Sequence, residues 1–80
     1  MAWDNKPTDA QLDRLYYWLS WRIPTPTARD AIKWLGEHAT RKEASDEMTR
    51  IRELFKTRKL DQETCFASPI WDDYEKGNKN

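Results

Sequence analysis

Eighty residues allow one domain, 1–80, with room for a single small core, so every large apolar side chain has to contribute to it. Charged residues make up 35% of the chain, and 14 basic residues balance 14 acidic ones, which excludes a global field that draws the protein to nucleic acid or membrane. One cysteine, Cys65, and one histidine, His38, exclude an internal disulfide and leave no cluster with zinc-ligand spacing, so neither metal nor cofactor is expected.

The hydrophobic 38% is weighted toward five Trp, three Tyr and two Phe, and a few such rings, at about 150–250 Å² each, can close a small core. No apolar run approaches the roughly 18–20 residues needed to span a bilayer, and the start, Met1 to Lys6, lacks the apolar stretch of a secretory signal. A cytoplasmic protein without a membrane partner is expected. The chain has no Val and only two Gly, nowhere alternates apolar and polar residues cleanly, and is apolar at helical spacing from residue 12 onward. The expected fold is all-α, a compact bundle of three main helices at about 9–22, 26–37 and 41–59. A C-terminal segment follows with a short helical turn near 69–75, and residues 1–6 and 76–80 are expected to be disordered.

In chain order, Thr8-Asp9-Ala10-Gln11 has the form of a capping box and opens the first helix. Leu12, Leu15, Tyr16, Leu19 and Ile23 then share one stripe. Thr25-Pro26 is the next start signal, with Thr27 a rival cap. Ala28, Ala31, Ile32 and Leu35 point inward, and Gly36 marks the region of termination. A second capping box, Thr40-Arg41-Lys42-Glu43, opens the longest helix, whose inward residues are Ala44, Met48, Ile51, Leu54 and Phe55. Beyond Leu60 the periodicity weakens until Ser68-Pro69, which starts a last turn bearing Ile70, Trp71 and Tyr74.

Two helical faces exceed what a core requires. On the first helix Trp18 lies beside the core stripe while Tyr17 and Trp21 point nearly away from it, with Arg14 one turn before Trp18. The C-terminal segment, with Phe66, Ile70, Trp71 and Tyr74, is expected to fold back over this second face; the alternative, which is compatible with it, is that Arg14, Tyr17, Trp18 and Trp21 form an interface for a protein partner or a second copy. On the third helix Arg41, Arg52, Lys56 and Lys59 share a narrow sector with Ser45 among them, whereas Glu43, Asp46, Glu47 and Glu53 lie on the other side of the solvent-facing surface. A solvated face explains this segregation. A phosphate-binding stripe of Arg41, Ser45, Arg52, Lys56 and Lys59 is the functional alternative.

The joint from Trp34 to Thr40 has the form of a helix-turn-helix, which would direct Arg41, Lys42, Ser45 and Thr49 at DNA, although Glu43, Asp46 and Glu47 in the same turns oppose it. Nothing places Cys65 and His38 together as a thiolate pair, and Asp72-Asp73 lacks the further oxygen ligands of a calcium loop, so no catalytic residue is assigned.

The segment Thr40-Arg41-Lys42-Glu43-Ala44-Ser45, followed by Ile51 and Leu54 and preceded by Gln11, Leu12 and Leu15, resembles a short helical module of unknown function found in phage, prophage and small bacterial proteins. In that module a Gln-x-x-x-Leu helix precedes a Thr-Lys-x-Glu-Ala-Ser helix. Arg41 stands where the module has Lys, and the Trp-rich first helix departs from its pattern. The resemblance implies a phage or prophage origin and supplies no activity and no functional residue. The expected function is that of a non-enzymatic binding or accessory protein acting through its aromatic face, with nucleic-acid binding through the basic stripe as the alternative.

Overall fold

The first helix, α1 (Asp9–Ser20), begins where the capping box requires. The Thr8 hydroxyl accepts from the Gln11 N–H at 3.1 Å, and the Gln11 side chain accepts from the Thr8 N–H at 3.0 Å. A tight turn at Trp21 to Pro24 leads into α2 (Thr25–His38). Thr25 already belongs to this helix, Pro26 sits in its first turn, and no side chain caps it. Proline there already fixes φ and removes a donor that would have had no partner, so the turn forms without a hydroxyl.

Gly36 does not end α2, which passes through it to His38. A Cβ at position 36 would stand 2.9 Å from Leu12 Cδ1, the tip of a flexible side chain, so this glycine lies directly beneath α1. The start of α1 therefore lies against the end of α2, and the two helices are antiparallel.

A two-residue joint, Ala39 and Thr40, leads to α3 (Arg41–Lys56), capped as expected: Thr40 Oγ1 accepts from the Glu43 N–H at 3.2 Å and Glu43 Oε1 accepts from the Thr40 N–H at 2.8 Å. The helix stops short of residue 59 because Arg58 adopts φ 61°. The Arg58 N–H bonds the Phe55 carbonyl at 3.2 Å and the Lys59 N–H bonds the Leu54 carbonyl at 2.9 Å, the pairing of a Schellman motif, which usually places glycine at that left-handed position.

After the turn come α4 (Gln62–Cys65), a 3-10 turn at Pro69–Trp71 and α5 (Asp72–Asn78). The short α4 has its own reciprocal cap between Asp61 and Thr64, at 2.8 and 2.9 Å, a signal that the weak periodicity beyond Leu60 hides. The computed structural model describes residues 5–78, all helix, turn or loop without a strand. The expected disorder of residues 1–4, 79 and 80 lies outside them. Asn5 accepts from the Arg41 N–H at 2.6 Å and Lys6 Nζ donates to the Glu37 carbonyl at 3.1 Å.

The core joins α1, α2 and α3 through Leu15, Leu19, Ala31, Leu35 and Ile51, with Ile23, Leu60, Cys65, Trp71 and Tyr74 closing it. α1 packs on both α2 and α3. The radius of gyration, 11.8 Å, is that of a well-packed chain of this length, about 12 Å.

The C-terminal segment folds back, but over α2 and α3 rather than over the outward face of α1. Trp71, 1% exposed, meets Trp34 of α2 with ring centroids 5.9 Å apart, and Phe66 at 5.1 Å. The Tyr74 hydroxyl donates to Asp30 of α2 at 3.0 Å. Glu47 corrects a second expectation: it is 3% exposed and faces the interior, not solvent. Its carboxylate accepts from Arg50 at 2.6 and 2.7 Å and from the Trp71 indole N–H at 3.1 Å. Arg50 in turn donates to the Thr64 carbonyl at 2.9 Å and to the Cys65 carbonyl. A buried charge needs a partner and satisfied hydrogen bonds, and here those bonds tie α3 to α4 and the 3-10 turn.

Candidate interaction surface

The four aromatic-face residues of α1 part company in the structure. Trp18, grouped on sequence with the interface, is 8% exposed and belongs to the core. It lies beside Ser45, Met48, Thr49 and Arg52 of α3, with which it shares a shallow depression. Tyr17 and Trp21 are 52% and 63% exposed, and Arg14 is exposed as well. Tyr17 and Trp21 touch each other edge to face, with ring centroids 6.3 Å apart and planes at 80°. Among the described residues they are the large hydrophobics left open to solvent. Such a pair one helical turn apart is held by its own contact, so little side-chain entropy remains to be lost on docking.

The basic stripe is shorter than its sequence suggests. Arg41 is half-buried at the start of α3, its Nε buried without a hydrogen-bond partner and its carbonyl accepting from the Gln11 amide at 3.4 Å. Lys59 is exposed but lies past the left-handed residue Arg58, off the helical path that would align it with the others. Arg52 and Lys56 remain exposed on α3, with Ser45 half-buried between them. Lys42, from the helix-turn-helix reading, pairs with Asp46 at 3.3 Å.

α1 and α3 advance in the same direction. Gln11, early in α1, reaches the Arg41 carbonyl at the start of α3, and Trp18, two turns later, lies beside the middle of α3. The outward face of α1 thus borders the basic stripe, with Trp18 as the seam between them. This adjacency is not legible in the sequence, because helical periodicity fixes the faces of one helix and not the neighbour of each face.

His38 stacks on Trp34 with ring centroids 4.8 Å apart, and its Nδ1 lies 3.0 Å from the Trp34 carbonyl. Cys65 is buried, whereas His38 is exposed. Burial pushes the Cys65 thiol up to about 12, against a smaller lowering by Arg50, so at neutral pH it is a packed thiol rather than a nucleophile. An open cleft elsewhere is lined by Phe66, Tyr74, Glu63 and Glu75. Among the described residues no group of three or more His, Cys, Asp or Glu could hold a metal ion, and no helix is long and apolar enough to cross a membrane. Comparison with known protein families, with curated proteins and with solved structures finds no match for this chain.

Proposed function

We propose that this chain is a non-enzymatic binding or accessory protein of the cytoplasm that works through protein–protein contacts on the outward face of α1. The observation that carries the reading is the exposure of Tyr17 and Trp21, while the other large apolar side chains among the described residues are buried at least in part. Trp, Tyr and Arg are the side chains that most often anchor protein interfaces, and Arg14 completes the set on the same face. The phage or prophage origin rests on the resemblance of the segment from Thr40 to Ser45 and stays part of the same proposal.

The direct test compares the parent with Tyr17→Ser/Trp21→Ser as bait in cells of the natural host. The parent is expected to retain a specific protein that the variant loses while remaining folded by circular dichroism. Equal recovery by both would remove α1 from the interaction. Sedimentation of the pure protein across concentration asks whether that partner is a second copy.

A second reading, nucleic-acid binding through the basic stripe, is favoured by one observation: Arg52 and Lys56 are exposed and make no ion pair within the described residues. Titration of labelled duplex and single-stranded DNA at low salt tests it, and absence of binding at tens of micromolar would leave the stripe a solvated face.

A further inference from the structure

We infer that the outward face of α1 and the basic sector of α3 form one surface, and that its occupant is an acidic segment of a partner protein. This rests on the protein-binding reading above and names the chemistry of the partner.

Charge around the seam is one-sided. At about 100° per residue, Tyr17, Trp21 and Arg14 span some 60° of α1, and Trp18 follows about 40° farther toward α3. The acids of α1, Asp9 and Asp13, lie on the opposite side of Tyr17, away from α3. On α3 the residues bordering Trp18 run Arg52, Ser45, Lys56 and Thr49 in steps of about 20°, and Glu53 and Asp46 begin only beyond them. The strip therefore holds two exposed rings, two hydroxyls and three cations, Arg14, Arg52 and Lys56, with no carboxylate among them. The ion pairs of the described residues, Lys42 with Asp46 and Arg50 with Glu47, use none of these cations.

An apolar side chain seated on Tyr17 and Trp21, flanked by Asp or Glu side chains, satisfies every feature of this strip. Arg14 and Arg52 offer planar donors suited to carboxylates, and Lys56 adds a point charge. A nucleic acid suits it less. Three cations imply a slope of log affinity against log salt of only about two for a single strand, and a chain of zero net charge adds no long-range field to compensate. A short acidic peptide segment needs few charges and gains its affinity from the rings.

The test places a photo-reactive p-benzoylphenylalanine at Thr49, exposed at the border of the strip, in the full-length protein in its natural host. The segment crosslinked to it is sequenced, and the purified partner is titrated against the unmodified protein. The inference expects a crosslinked segment of net negative charge and an affinity that falls about tenfold or more as salt rises from about 50 to 500 mM. It also expects a comparable loss in Arg52→Glu/Lys56→Glu, whose side chains are exposed and off the core, so that its circular dichroism matches the parent. A crosslinked segment without acids, or an affinity indifferent to both salt and charge reversal, would overturn the inference while leaving the protein-binding reading intact. Crosslinking to nucleic acid, or to no macromolecule, would overturn both.

Discussion

Glu47 shows how one residue can invert an expectation. On a helical wheel it belongs with the acids of α3, but its carboxylate is the meeting point of Arg50 and the Trp71 indole. A wheel records where a Cβ points, and only the position of the C-terminal segment decides whether that direction is solvent. Glu47→Ala would leave two donors without their acceptor. It should destabilise the protein by about 2–4 kcal/mol, somewhat less than the roughly 3–5 kcal/mol of breaking a fully buried pair because Arg50 keeps some solvent, and urea titration reads this directly. A change below about half a kcal/mol would mean that the tie between α3 and the C-terminal segment is not needed.

Cys65 offers a second residue-scale test. Burial raises its thiol to about 12 in the fold, above the ordinary value near 8.5 of an unfolded chain. A thiolate is thus disfavoured in the folded state, so the contribution of Cys65 to stability is whole below about pH 8.5 and is lost as pH rises from there toward 12. A Cys65→Ala variant, though less stable throughout, should lose less stability than the parent over that window, measured as chemical denaturation midpoints from pH 7.5 to 11. Labelling of the parent by a thiol reagent at pH 8 should track unfolding rather than occur in the native protein.

Among the elements, the capping boxes at Thr8 and Thr40 and the three main helices were legible because they depend on residues three and four apart, and the all-α bundle follows from them. The ends were less legible. α2 runs through Gly36, which lies beneath Leu12 of another helix, and α3 stops at Lys56 because of a left-handed residue that is an arginine. Neither feature is visible in local composition. Arg58→Gly should accordingly stabilise the fold by roughly 0.5–1 kcal/mol, since glycine takes positive φ without the Cβ clash. An unchanged or lowered urea midpoint for Arg58→Gly would show that the left-handed position costs the arginine nothing.

For the whole molecule, the aromatic residues divide into two populations that sequence spacing cannot separate. Trp34, Phe66, Trp71 and Tyr74 contact one another across α2, α4 and the C-terminal turns, while Tyr17 and Trp21 contact each other at the surface. The apolar excess on α1 could be read from the sequence, but its cover could not, because the decision lay with residues some fifty positions away that dock on α2 and α3 instead. Removing that cover is severe: Trp71→Ala should cost about 3–5 kcal/mol, enough to unfold much of the population of so small a domain.

If the face of α1 bearing Tyr17 and Trp21 is reserved for a partner, as proposed, it contributes little to the fold, and urea denaturation of Tyr17→Ser/Trp21→Ser measures that contribution. The side chains are open to solvent in the native protein, so the stability of this variant should stay within about half a kcal/mol of the parent. A loss of about 2 kcal/mol or more, the cost of removing buried apolar groups, would show that the face is already covered within the folded chain and is not open to a partner.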